Sequence, residues 1–231
     1  MFFTNKKKNV LARQPNWLHI DSNVQLLPGL IEGPQDVDTA CLLISQLAAL
    51  GLEKIVLIAP INEQSPITFD TIQRGYQSVC QKLLLERCEM EVMLAGIYRL
   101  EKGFMSLLKK NELIPMSGHY VLFDLPLDAE PPFIENIIFE LEVNGFTPVL
   151  ACPERYVYYH QLNLKRYRKL KSLGCLFQSS LLSLAGYYGD KTKRMAQTLL
   201  KEGLIDMSGS GINSEIQVKV LVDFVKNQNI F

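Results

Sequence analysis

The stretch DSNVQLLPGLIEG, residues 21–33, places polar side chains at the spacing of a metal-binding loop. Asn23 and Gln25 stand two residues apart before a Leu-Pro-Gly turn, and the carboxylate of Glu32 follows that turn. Histidines and carboxylates in such a pattern hold divalent metals that activate water for hydrolysis. Asparagine and glutamine offer only neutral carbonyl oxygens, which bind transition metals weakly. The stretch therefore allows two interpretations, a metal site or a former metal site that has lost its ligands.

Further polar residues follow the ends of other apolar runs. Asp124 follows YVLF, Cys152 and Arg155 stand in the segment ACPERY, and Asn213 follows the last run. Cys152 could bind a soft metal, but without further partners it completes no tetrahedral set, and a small buried thiol is the simpler interpretation. Cys152 and Arg155 are also too close in sequence for the Cys-x5-Arg loop of thiol phosphatases.

Composition limits the function classes. The 231 residues are 48% hydrophobic, enough for one domain with a full core. Lys+Arg and Asp+Glu both number 24, and this balance argues against a nucleic-acid partner. No apolar run reaches the roughly 18 residues of a membrane span. Five cysteines without CxxC spacing predict free thiols in a reducing, cytoplasmic compartment, and three histidines are few for a multinuclear metal enzyme.

Apolar runs alternate with amphipathic segments along the chain, which predicts seven strand-helix units. A polar leader over residues 1–16, with lysines but no apolar segment, precedes a single domain over residues 17–231. The strands are expected at residues 17–21, 54–60, 91–98, 120–126, 147–153, 175–180 and 204–210. The helices are expected at residues 34–50, 68–87, 102–110, 131–144, 163–173, 191–202 and 214–226. Periodicity predicts a parallel α/β domain but does not choose between a closed barrel and an open sheet.

Several blocks resemble one family in order and spacing. DSNVQLLPGLIEG, VLFDLP, FTPVLACPERY, LFQSSLLSLAGYYG and GLIDMSGSGIN are similar to blocks of the PHP-type, manganese-dependent bacterial tyrosine phosphatases of capsule and exopolysaccharide loci. This resemblance covers nearly the whole chain after the leader. It implies a distorted seven-stranded (β/α) barrel with parallel strands, related to the TIM barrel. It also implies a metal site at the carboxyl ends of the strands.

The resemblance also shows which ligand positions differ. Only two of the matched positions carry a carboxylate here, Glu32 and Asp124, and two family histidines correspond to Asn23 and Gln25. The former metal-ligand positions are Asn23, Gln25, Glu32, Ile61, Gly96, Asp124, Cys152, Gly211 and Asn213. Ile and Gly offer no ligand at all, so we expect no bound metal cofactor despite the manganese that the family implies.

These departures favour a degenerate, catalytically inactive phosphatase-like protein that binds or regulates a partner in capsular or exopolysaccharide biosynthesis. The resemblance implies the tyrosine-rich tail of a capsule-type tyrosine kinase, or an active relative, as that partner, and is compatible with an oligomer. Arg155 is the candidate for binding an anion, because its planar guanidinium can form two parallel hydrogen bonds. The structural alternative is an ion pair with Glu154, Glu32 or Asp124.

Two other functions stay open. One is an active phosphatase with a rearranged site, and the other is a structural subunit whose pocket takes no ligand. The groups available to a rearranged site are Glu32, Asp124, Cys152, Asp206 and Ser210.

Overall fold

The structure is a computed structural model of the chain, and it describes residues 19–30, 33–61, 67–101, 103–110 and 112–228. The predicted polar leader and the position of Glu32 lie outside these residues. The described residues form seven strands, each parallel to the next in chain order. The strands are β1 Ile20–Val24, β2 Lys54–Ile61, β3 Glu91–Arg99, β4 Tyr120–Asp124, β5 Thr147–Ala151, β6 Leu176–Ser180 and β7 Met207–Gly209.

The sheet closes between its first strand and the segment that follows its last. Val24 forms an isolated parallel bridge with Ile212. The Gly211 amide donates to the Asn23 carbonyl at 2.7 Å, and the Gln25 amide donates to the Ile212 carbonyl at 2.8 Å. These bonds show that the sheet forms a nearly closed seven-stranded barrel and not an open sheet, as the resemblance implied.

Helices cover the outside of the barrel. They are α1 Val37–Ala48, α2 Phe69–Leu85, α3 Phe104–Lys109, α4 Ile134–Val143, α5 Lys165–Ser172, α6 Leu181–Ala185, α7 Asp190–Lys201 and α8 Glu215–Gln228. The first helix begins at Val37, not at the expected Pro34, because the Asp36 side chain accepts from the Thr39 amide at 2.7 Å and caps it.

Other elements also differ from expectation, and β4 Tyr120–Asp124, α4 Ile134–Val143 and β7 Met207–Gly209 are shorter than expected. The first strand lies at Ile20–Val24 instead of residues 17–21, so Asn23 is inside it. The fifth strand ends at Ala151, because Cys152 adopts a left-handed conformation (φ 49°) before a 3-10 turn over Pro153–Arg155. The short helix α6 was not anticipated, since its five residues carry too few turns to show a helical period.

The barrel has an apolar interior and two apolar layers beneath its helices. Alternating residues such as Val56, Ile58, Ala95 and Ile97 pack together in one cluster with Leu122, Val149 and Ala151. Their neighbours in sequence point outward into two larger clusters against the helices. Because this part of the interior is filled with apolar side chains, a ligand can bind only at the ends of the barrel.

Gly209 allows close contact between the last and first strands. A Cβ added there would lie 2.5 Å from the Asn23 Cβ and 3.0 Å from the Asn23 backbone nitrogen. Both distances are too short for carbon-carbon or carbon-nitrogen contact, and backbone atoms at a closed seam cannot retreat easily. The seam therefore requires glycine at this position.

We predict that Gly209→Ala lowers the free energy of unfolding by about 1–3 kcal/mol, measured by urea denaturation. Gly75→Ala is the matched control, because Gly75 lies inside α2 with its nearest neighbour at 3.5 Å. Alanine should stabilise that helix by about 0.5–1 kcal/mol. Equal effects of the two substitutions would contradict the tight seam.

Candidate functional site

A cavity of about 520 Å³ opens at the carboxyl ends of the strands. The cavity is lined by most of the candidate site residues that were selected from the sequence, and by several others. From the first group it contains Asn23, Gln25, Ile61, Asp124, Cys152, Arg155, Gly211 and Asn213. The additions include Arg99, Glu101, Tyr156, Tyr188 and Gln217.

Gly96 is not among the residues that line the cavity. It lies inside β3, as the expected strand over residues 91–98 already has it, and pairs with Ala59 of β2. A Cβ at Gly96 would lie 2.6 Å from the Tyr98 hydroxyl, in the layer beneath the helices, whereas its neighbour Ile97 lines the cavity. Because side chains alternate along a strand, this former metal-ligand position has the outward direction.

Asp124 is held by a protein cation. Arg99 Nε donates to Asp124 Oδ1 at 2.7 Å, and Arg99 Nη2 donates to Asp124 Oδ2 at 2.6 Å. This bidentate bond raises the pKa of the Arg99 guanidinium above its ordinary value. Sequence reasoning missed Arg99, although the strand-end position that selected Asp124 also applies to Arg99, its partner across β3 and β4.

Arg155 is half-buried on the cavity wall, where its guanidinium carbon lies 4.3 Å from the centre of the Tyr188 ring. Its charge is stabilised there by the face of the aromatic ring. No ion pair joins Arg155 to any residue in the described part of the chain, so the alternatives with Glu154 and Asp124 are not formed. Glu154 is fully buried instead, and its Oε1 accepts from the Ser180 amide at 2.8 Å.

The Cys152 thiol is poorly suited to nucleophilic chemistry. Burial, and then the negative charge of Glu154, raise its pKa far above the ordinary value of a cysteine. Two of the other groups proposed for a rearranged site lie elsewhere: Asp206 bonds to Lys171 and to the Phe177 amide, and the Ser210 hydroxyl donates to the Asn23 carbonyl. The arrangement lacks an activated nucleophile among the described residues.

These side chains do not fit the metal centre that the resemblance implies. Asn23, Gln25 and Asn213 are neutral, and both oxygens of Asp124 already bond to Arg99. Across the described ranges, no group of three or more His, Cys, Asp or Glu residues could hold a metal ion. Glu32 lies outside those ranges.

The fold and the cavity together define a (β/α) barrel with a polar pocket at the strand ends. Residues 19–217 match the family model described as capsular polysaccharide synthesis, CpsB/CapC. The chain therefore belongs to the CpsB/CapC family.

Two relatives carry the name of tyrosine-protein phosphatase. The chain is 23% identical to tyrosine-protein phosphatase YwqE of Bacillus subtilis (strain 168) over 196 residues, covering 83% of this chain and 76% of YwqE. It is 19% identical to putative tyrosine-protein phosphatase CapC of Staphylococcus aureus over 197 residues, covering 84% of this chain and 77% of CapC.

Solved structures support the same fold. A structure from work on YwqE of Bacillus subtilis and CpsB of Streptococcus pneumoniae, described as unique metal-dependent tyrosine phosphatases, superposes with a TM-score of 0.79. Its identity to this chain is 20%, covering 90% of this chain and 86% of the other. A phosphotriesterase homology protein of Escherichia coli gives a TM-score of 0.50 at 11% identity, covering 91% and 89% of the two chains. In the described residues, no helix has the length and apolarity to cross a membrane.

Beneath the cavity, Asp21 is completely buried beside the closure seam. Its Oδ1 accepts from the Ser210 amide at 2.8 Å and from the Asn23 amide at 3.1 Å, whereas Oδ2 has no hydrogen-bond partner among the described residues. Burial raises the pKa of Asp21 from 3.8 to about 6, an effect that the side chain and amide of Ser210 and the amide of Asn23 only partly offset.

We predict that the free energy of unfolding falls as pH rises from about 4 to 6, because the buried Asp21 carboxyl must ionise. Between these values the folded state binds more protons than the unfolded state, so the stability that protonated Asp21 gives below pH 4 is lost through pH 6. Asp21→Asn keeps an acceptor for both amides and carries no charge. Its melting temperature, measured from pH 4 to 7, should fall less steeply than that of the wild type across this window. Parallel curves would contradict the raised pKa.

Proposed function

We propose that this chain is a non-catalytic member of the CpsB/CapC family, a pseudophosphatase that binds an anionic partner in capsular or exopolysaccharide biosynthesis. The supporting observation is the position of the Arg155 side chain. Its guanidinium lies in the cavity without an ion pair to a described residue, beside side chains that do not fit a metal centre. An arginine fork held in this way can receive a phosphoryl or carboxylate group through two hydrogen bonds.

Phosphotyrosine is the ligand that the family suggests. YwqE and CapC are named tyrosine-protein phosphatases, so the tyrosine-rich tail of a capsule-type kinase is the proposed partner, with an active relative as the alternative. A cavity without an activated nucleophile would hold such a tail without cleaving it. We place this activity in the cytoplasm, where the five free cysteines would remain reduced.

We expect the purified protein to contain less than one manganese, iron or zinc ion per chain. It should hydrolyse p-nitrophenyl phosphate no faster than buffer in added manganese, because neutral amides neither bind the metal nor activate its water. Elemental analysis and this assay, with YwqE prepared in parallel, test both statements. Manganese-dependent turnover by this chain would instead support the alternative of an active phosphatase with a rearranged site.

We predict that Arg155→Ala weakens binding of a phosphotyrosine peptide roughly tenfold or more, measured by calorimetry, because a charge-assisted bidentate contact is lost. Arg155→Lys should restore only part of the affinity, since lysine keeps the charge but not the planar fork. Arg74→Ala is the matched control, because Arg74 lies on the surface of α2 and pairs with Asp70. A folded Arg155→Ala variant that binds as the wild type does would refute this role.

A further inference from the structure

Beneath the cavity, the buried Gln178 side chain bonds to the lining residue Asn23, and its neighbours fix the orientation of its amide. The Ser22 backbone carbonyl can only accept, so the Gln178 amide must turn its nitrogen, Nε2, toward it (3.2 Å), and Nε2 also donates to the Ser22 hydroxyl at 2.8 Å. Gln178 Oε1 must then accept, and it does so from Asn23 Nδ2 at 3.0 Å. This chain of hydrogen bonds uses Asn23 Nδ2 and leaves the other side-chain atom, Oδ1, for a further partner.

That remaining atom is Asn23 Oδ1, a hydrogen-bond acceptor. Asn23 is only 2% exposed and lines the cavity, and its Oδ1 is buried without a hydrogen-bond partner in the described protein. A buried acceptor without a partner destabilises the protein, because it has lost its hydrogen bond to water. A ligand that donates a hydrogen bond here would remove that destabilisation, and a fully ionised phosphate cannot donate one.

A second amide, on the opposite side of the closure seam, is also fixed in orientation. The Asn213 backbone amide donates to Gln217 Oε1 at 2.8 Å, so the Gln217 Nε2 group faces away from this bond, and no described residue accepts from it. Gln25 and Asn213 add further side-chain amides to the lining. The lining therefore offers at least one acceptor, Asn23 Oδ1, and one donor, Gln217 Nε2, and a ligand hydroxyl can bond to either kind of group.

We propose that the cavity binds a sugar acid, a hydroxylated ring that carries a carboxylate. The carboxylate would pair with the Arg155 fork, and the ring hydroxyls would bond to Asn23 Oδ1 and Gln217 Nε2. The volume of about 520 Å³ falls within the roughly 300–1,000 Å³ of small-molecule sites. The benzene ring of phosphotyrosine offers these amides no hydrogen bonds, so a sugar acid is a second class of ligand for this cavity, one that also bonds to Asn23 Oδ1. The inference rests on the proposed function only in taking this cavity as a binding site.

Ligand pairs test the inference. D-glucuronate, cyclohexanecarboxylate, D-glucose and phenyl phosphate are titrated into the full chain by calorimetry. Glucuronate should bind at least tenfold more tightly than cyclohexanecarboxylate, which has the same carboxylate on a ring without hydroxyls, and than glucose, which lacks the carboxylate. Equal affinity for glucuronate and either of these two would overturn the proposal. Binding of phenyl phosphate without glucuronate would also overturn it while leaving the proposed function standing, and binding of neither would count against both.

A variant identifies the group that binds the hydroxyls. Gln217→Met removes the donor without adding charge, so the preference for glucuronate over cyclohexanecarboxylate should shrink severalfold. Gln197→Met makes the same change on the exposed side of α7 and should preserve the preference. Circular dichroism confirms that both variants are folded. If the Gln217→Met variant is folded and keeps the full preference, the assignment of the floor amides is refuted; if it does not fold, the comparison of ligands on the wild-type protein decides.

Discussion

The contact between the first strand and the segment after the seventh closes the barrel, and the candidate site depends on it. Gly211 and Gln25 supply the backbone bonds across this seam, and Asp21 binds the Ser210 amide from below. Gly209 permits the approach because any side chain there would collide with Asn23. Without closure, the ends of the first and last strands would separate, and Asn23 would no longer share a cavity with Asn213.

The seam is polar, which is unusual for the interior of a small barrel. Ser22 donates to the Ser208 carbonyl at 2.5 Å, and Gln178 links Ser22 to Asn23. Each bond satisfies a group that would otherwise be costly to bury, and the set tolerates few replacements since every member orients the next. The same network therefore stabilises the closed barrel and sets the chemistry of its floor.

Much of this arrangement could be predicted from sequence, for identifiable reasons. The buried strands KIVLIAP and TPVLACP and the amphipathic helices between them carry strong local periods, which predict a parallel sheet with the ends of β2 and β5 on the same side. Closure itself came from the resemblance, because periodicity describes single segments and not the bridge between β1 and the segment after β7.

The differences between sequence and structure depend on contacts between distant segments. Gly96 was selected but lies outside the cavity lining because of the phase of its strand, which the apolar run AGIY does not reveal. Arg99 could have been selected by its strand-end position, whereas Gln217 enters the site only through the docking of α8. The buried Gln178 in β6 was a further signal, since a buried amide requires a partner.

The pairing of Arg99 with Asp124 explains how the charge of a carboxylate is compensated at the mouth of this barrel. A carboxylate near the apolar interior requires compensation, which in a metal enzyme comes from the cation. Here the guanidinium supplies both charge and two hydrogen bonds to Asp124, at a geometry fixed by the neighbouring strand. Arg99 is thereby committed to Asp124, whereas Arg155 lies over the Tyr188 face and forms no ion pair among the described residues. In the proposed function, Arg99 would compensate the carboxylate and Arg155 would bind the ligand, two roles that a metal ion can combine.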